Sequence, residues 1–217
     1  MVAGYVDSCT YLGLFGIFVA QLTGSFVVAG AEFVRSEPGA LVKLLAIPFF
    51  FLSGTAVTIL NGVLKEHPRA ALVSSLAMEC VLLAGLLVSC LLNMPFRNLD
   101  SPGVVAAVLF GMSAMGAQGA IVRRLLQDTN STNVMTANTT KLAVKAGELV
   151  LAWFASSGVE RPDPSEARRK VAGVLPVWLG FFAGTTLGAV ATVTMGLPSI
   201  ALAILPVAGL AVWYARA

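Results

Sequence analysis

Residues 71–94 read Ala-Leu-Val-Ser-Ser-Leu-Ala-Met-Glu-Cys-Val-Leu-Leu-Ala-Gly-Leu-Leu-Val-Ser-Cys-Leu-Leu-Asn-Met, with Glu79 as the single charge. A helix needs roughly 20 mostly apolar residues to cross a bilayer, so this stretch predicts a transmembrane span. Five more stretches pass the same test: Val2–Leu22, Ala40–Val63, Gly103–Val122, Val171–Thr194 and Pro198–Tyr214. The whole chain agrees with them. Of 217 residues, 57% are hydrophobic and 12% charged, with a mean hydropathy of +0.86. Soluble domains carry about 25% charged residues. That deficit excludes cytosolic enzymes, nucleic-acid binders and disordered chains. A net charge of +3 without a long basic face offers nothing to track phosphates.

Two segments fit the count less well. Thr23–Arg35 is short and holds Gly24, Ser25, Gly30 and Glu32, and Met135–Ser156 carries Lys141, Lys145 and Glu148 in its first half. Both are expected as short helices after the first and fourth spans. Lysine and arginine accumulate on the cytoplasmic side, which arbitrates. With six spans, eleven basic residues share one side, among them Lys65, Arg69, Arg123, Arg124 and Arg168, while Arg35, Lys43 and Arg97 take the other. A seventh span weakens the bias and strands two lysines in the membrane, at no less than ~2.5 kcal/mol each. Six spans with both termini cytoplasmic follow, in one membrane domain over residues 1–217, and Glu160–Lys170 becomes a cytoplasmic loop. Val2–Leu22 is no signal peptide, since it lacks a basic start and holds Asp7.

The chain also repeats itself. Gly4-Tyr5-Val6-Asp7 is followed by Thr23-Gly24-Ser25, and Gly116-Ala117-Gln118-Gly119 is followed at nearly the same spacing by Thr136-Ala137-Asn138. Phe51-Leu52-Ser53-Gly54-Thr55 matches Phe182-Ala183-Gly184-Thr185, and Ala84-Gly85-Leu86 matches Ala208-Gly209-Leu210. Three matches in one order divide the chain into repeats at about 1–97 and 103–217. Each holds three spans, an odd number, so the copies are expected in opposite orientations. Inverted repeats of this kind build many secondary transporters, although a duplicated bundle without transport fits the same pattern. The expected architecture is therefore all-α, a polytopic bundle of six transmembrane helices in two inverted three-helix repeats.

These paired motifs resemble the YoaK-like family of bacterial inner-membrane proteins, a domain of unknown function. Its members show Gly-x-x-Asp-Ala, Thr-Gly-Asn, Gly-x-Gln-Asn-Ala and Met-Thr-Gly-Asn. Here Gly4, Asp7, Thr23-Gly24, Gly116, Gln118 and Met135-Thr136 keep the pattern, while Ser8, Ser25, Gly119 and Ala137 depart from it. The resemblance implies a bacterial inner-membrane location and a distant relation to the major facilitator superfamily, whose six-span halves are inverted repeats. Gly62-Val63-Leu64-Lys65-Glu66-His67-Pro68-Arg69 loosely resembles that superfamily's loop motif. Half of such a transporter implies a homodimer around a central pathway.

Candidate site residues follow from the cost of polarity in a membrane. Asp7 lies in the first span, where a carboxylate needs a partner or water; it serves either as a coupling site or as a helix-end cap. Glu79 poses the same demand in the third span. Gln118 in the fourth span can bind substrate or glue two helices. Thr23, Ser25, Thr136 and Asn138 sit where helix breaks can free backbone groups for a ligand, or where they merely cap. Lys141 and Lys145 can draw in an anion or reach for headgroups. Gly180, Gly184 and Gly188 form a close-packing stripe. Cys9, Cys80 and Cys90 read as small buried hydrophobes. No catalytic set, metal-ligand spacing or cofactor fingerprint occurs, so neither an enzyme nor a cofactor is expected. The expected function is transport of a small organic solute by alternating access, with proton coupling through Asp7 or Glu79. The competing expectation is a non-transporting scaffold or accessory subunit. A cavity lined by Asp7, Gln118 and the two threonine breaks would favour transport.

Overall fold

The computed structural model describes residues 1–35, 39–125, 135–154 and 164–216. All regular structure in them is helical: α1 (Val2–Gly13), α2 (Leu22–Arg35), α3 (Ala40–Val63), α4 (Pro68–Asn93), α5 (Pro102–Leu125), α6 (Met135–Phe154), α7 (Pro164–Met195) and α8 (Ala201–Arg216). A short 3-10 turn, Leu197–Ile200, joins the last two. Five helices among these residues are long and apolar enough to cross a membrane: α3, α4, α5, α7, and the 3-10 turn continued by α8. The protein is a multi-pass, all-helical membrane protein.

Ala40–Val63 matches its predicted span residue for residue, while α4 and α5 start up to three residues earlier than the hydropathy suggested. Proline explains the early starts: Pro68 and Pro102 open α4 and α5, where a missing N–H costs nothing. Helix α7 corrects the loop expected at Glu160–Lys170. It begins at Pro164, and an ion pair from Lys170 to Glu166, one turn apart, ties its polar first turns into the helix. Residues 155–163, with Glu160, Arg161 and Pro162, lie outside the described residues.

Val2–Leu22 is the clear correction: it is not one span. Helix α1 stops at Gly13 after 12 residues, about 18 Å of rise. Gly16 N–H bonds back to the Tyr11 carbonyl, and Leu14 N–H to that of Thr10. Phe15 and Gly16 both take positive φ, at 55° and 77°. This is a Schellman stop, with Phe15 in the left-handed position that glycine usually fills. Hydropathy carries no trace of it, because the stop is built from apolar residues. The chain then crosses residues 14–21 and restarts as α2, running back along α3.

The core is a set of helix pairs. Helix α3 packs on α5, α4 on α5 and α8, α1 on α7, α2 on α3, and α6 on α7. Two of these contacts depend on glycine. A Cβ on Gly116 of α5 would collide with the Phe50 carbonyl and Ser53 of α3. On α1, a Cβ on Gly4 would lie 2.7 Å from the Phe181 carbonyl and 2.9 Å from Thr185 of α7. The stripe on α7 meets the same helix: Gly184 abuts the Met1 backbone and Gly188 the Tyr5 backbone, with Gly180 near the end of α1. Small residues let backbones approach where lipid removes any hydrophobic drive for helix association.

Gly116→Leu and Gly4→Leu should each lower the thermal midpoint of the detergent-purified protein, at a cost of about 1–3 kcal/mol or more. Gly209→Leu, with open space around it, should change little. Equal tolerance at all three positions would show that these contacts do not hold the bundle.

Candidate functional site

Asp7 does not sit idle in α1. The carboxylate, 2% exposed, turns toward the interrupted segment. Its Oδ1 accepts the backbone N–H groups of Val19 at 2.8 Å and Ala20 at 2.7 Å. Oδ2 is buried without a hydrogen bond, and the Gln21 side chain lies within electrostatic reach of the carboxyl. One side chain of the first helix thus binds the backbone just before α2, satisfying donors that the break leaves without a helical partner. Ser25 works on the same break. Its hydroxyl donates to the Phe18 carbonyl at 3.0 Å.

Glu79 and Gln118 meet across α4 and α5. Gln118 Nε2 donates to Glu79 Oε1 at 2.8 Å, in a contact joining positions 39 residues apart. Glu79 is 2% exposed, and Gln118 Oε1 is buried without a partner. No lysine or arginine among the described residues forms an ion pair with Glu79 or Asp7.

A cavity of about 720 Å³ opens between α2, α3 and α5. Phe26, Phe50 and Phe51 form much of its wall, Thr23, Thr55 and Thr58 supply hydroxyls, and Gly116, Gly119 and Ala120 form the α5 side. Arg123 and Arg124 close one end. Gly116, which brings α5 against α3, also lines this space, so close packing and cavity meet at one residue. Of the seven candidates, only Thr23 lines this space. Asp7 binds the segment containing Ala20, a wall residue, and Gln118 adjoins Gly119, but neither reaches the cavity, so the expected cavity lined by Asp7, Gln118 and both threonine motifs is not formed by the described residues.

The second threonine motif lies elsewhere. Thr136 is exposed in the first turn of α6, and Asn138 is buried there with its amide 3.9 Å from Met135 sulfur. Helix α6 leans on α7, where the Trp178 indole donates to Thr139 Oγ1 at 3.2 Å. Both motifs therefore occupy the starts of helices, not breaks within them. Lys145 pairs with Glu148 at 2.6 Å, and Lys141 also has a partner, so neither is a free attractor for anions. Among the described residues, no three His, Cys, Asp or Glu side chains gather as metal ligands would. Arg123 and Arg124 entered the sequence reading only as topology markers. Their place at a cavity depends on α3 and α2, which no local pattern in α5 reveals.

Asp7→Ala should destabilise the protein by about 1–3 kcal/mol, because two buried amides lose their acceptor. Asp7→Asn keeps a side-chain oxygen and should lose less. Thermal unfolding in detergent checks the order; identical losses would remove the hydrogen-bonding role.

Comparisons with known proteins place this geometry in a family without assigning it an activity. No curated protein and no solved structure matches the chain. The family described as Protein of unknown function (DUF1275) matches residues 1–213. With a match over nearly its whole length, the chain belongs to the DUF1275 family.

Proposed function

We propose that this protein is a secondary transporter of a small organic solute, working as a homodimer by alternating access in the bacterial inner membrane. The observation that carries the reading is the solute-sized cavity beside the irregular segment between α1 and α2. Discontinuous helices next to a solute-sized space recur in transporters, where freed backbone groups and half-helix ends serve ligands. Irregular backbone at membrane depth is tolerated where protein covers it or water reaches it. Asp7 holding residues 19 and 20 gives such a segment a fixed shape.

The helix pairs support the inverted repeat. Exchanging α1 with α5, α2 with α6, α3 with α7 and α4 with α8 turns the α3–α5 contact into α7–α1, and α2–α3 into α6–α7. The glycine contacts exchange as well: Gly116 against Phe50 becomes Gly4 against Phe181. Two such halves can rock about their shared interface, the motion alternating access requires.

The charges support the orientation. Asn61 bonds Ser75, Glu79 bonds Gln118 and Gly54 meets Gly116. These contacts bring the end of α3, the start of α4 and the end of α5 together, along with Lys65, Arg69, Arg123 and Arg124. At the other end of α3, Lys43 is neutralised by Glu32. The basic end faces the cytoplasm. The lipid-facing surface is ample: Phe33, Val34, Leu92 and Val193 are each at least 70% exposed. Half of a facilitator-like architecture leaves a second copy to complete the pathway. Asp7 and Glu79, buried without cationic partners, are the candidates for carrying a proton.

Purified protein reconstituted into vesicles should take up members of a labelled panel of organic acids, amines and sugars in a saturable manner. A pH gradient should accelerate uptake, and Glu79→Gln should abolish that acceleration while leaving exchange at equal pH. Uptake no faster than in protein-free vesicles across the panel would favour the scaffold reading instead.

A further inference from the structure

We infer that the cavity between α2, α3 and α5 takes an amphiphilic organic anion, with its acidic head at Arg123 and Arg124 and its apolar body against the phenylalanines. The inference deepens the transport reading and rests on it for its biological meaning. Its own support is the chemistry of the walls.

The first support is charge. Arg123 and Arg124 are exposed at the end of α5 and both line the cavity. Among the described residues, no carboxylate forms an ion pair with either guanidinium and no acid lines the space. Asp7, which bonds the wall residue Ala20, has its Oδ1 held by the Val19 and Ala20 amides. Guanidinium groups present fixed donor forks that match carboxylate, sulfonate and phosphate oxygens. The start of α2, with Leu22 and Thr23 in the wall, adds the positive end of a helix dipole.

The second support is the apolar wall. Phe26 comes from α2, and Phe50 and Phe51 from α3, so the body of a ligand meets rings from two helices. Thr58 has already committed its hydroxyl to the Gly54 carbonyl at 3.0 Å. Thr23 and Thr55 make no hydrogen bonds among the described residues and remain for a ligand. Two hydroxyls are too few to replace the hydration shell of a sugar, whose unpaired groups would each be costly. An amine would meet two like charges. At about 720 Å³, the space falls within the range of small-molecule sites. A free organic acid and an anionic lipid share this chemistry, and the experiment separates them.

The test uses the full-length protein in phosphatidylcholine vesicles, with labelled phenylbutyrate, phenylbutanol and phenylbutylamine as probes. Equilibrium binding and uptake are measured on the same preparation. Phenylbutyrate should bind about tenfold more tightly than the alcohol, the gain of one good charge-assisted contact. The double variant Arg123→Gln/Arg124→Gln should lose that advantage and keep the affinity for phenylbutanol. Arg168→Gln/Arg169→Gln, which alters two exposed arginines of α7, should behave as the parent, and circular dichroism checks that both variants fold. Equal binding of the three probes, or unchanged phenylbutyrate binding in Arg123→Gln/Arg124→Gln, overturns the inference.

Charge-selective binding without uptake would uphold the site and sink transport. Uptake indifferent to probe charge would uphold transport and sink the anion site. Adding phosphatidylglycerol identifies the source. Competition with phenylbutyrate names the bilayer, and its absence names an aqueous acid; either result upholds the shared chemistry.

Discussion

The bundle depends on how closely two backbones can approach. In lipid, one apolar helix gains nothing by hiding from water against another, so association falls to dispersion contacts and polar bridges that improve steeply as axes draw together. Gly116 permits this for α3 and α5, and Gly4, Gly184 and Gly188 permit it for α1 and α7. The other helices attach to these two pairs. Helix α4 lies along α5, α8 along α4, and the short helices α2 and α6 lean on α3 and α7.

Inside this frame the buried carboxylates Asp7 and Glu79 are matched to backbone or amide partners, and Lys43 is matched to the opposite charge of Glu32. Asp7 serves the interrupted segment after α1. The Glu79–Gln118 contact links α4 to α5 where those helices are otherwise joined by apolar packing. Around α1, Tyr5 donates to the Ser199 carbonyl at 2.9 Å, and Thr192 and Ser199 hydroxyls approach to 3.4 Å. Such bonds orient helices that apolar contacts alone would let slide, since apolar side chains tolerate many registers and a hydrogen bond tolerates few.

Much of this was legible in the sequence, and the limits have physical causes. Composition and hydropathy located α3, α4, α5, α7 and α8, because long apolar runs fix both the solvent and the element. The failure at Val2–Leu22 came from the same method. A stop built on Phe15 and Gly16 leaves hydropathy untouched while ending the helix after Gly13. Asp7, Glu79 and Gln118 stood out because burying polar groups is expensive anywhere, but which groups they bond did not. Val19 and Ala20 contribute only main-chain amides, which every residue owns, and Gln118 lies on another helix. Of the threonine motifs, Thr23 reached the cavity and Thr136 did not, a difference of tertiary placement between two related local patterns, Thr23-Gly24-Ser25 and Thr136-Ala137-Asn138.

One turn of α3 has two duties. Phe50 presents its carbonyl to Gly116 and its ring to the cavity, while Ser53 and Gly54 meet α5 and Thr55 faces the empty side. A rigid rod loaded on both flanks behaves as a lever. Whatever enters between α2 and α5 presses on the same residues that set the spacing of the main helix pair. Helix spacing and cavity shape are thus set by the same residues at this turn. A bulkier side chain at this turn would act on the helix spacing and on the cavity together.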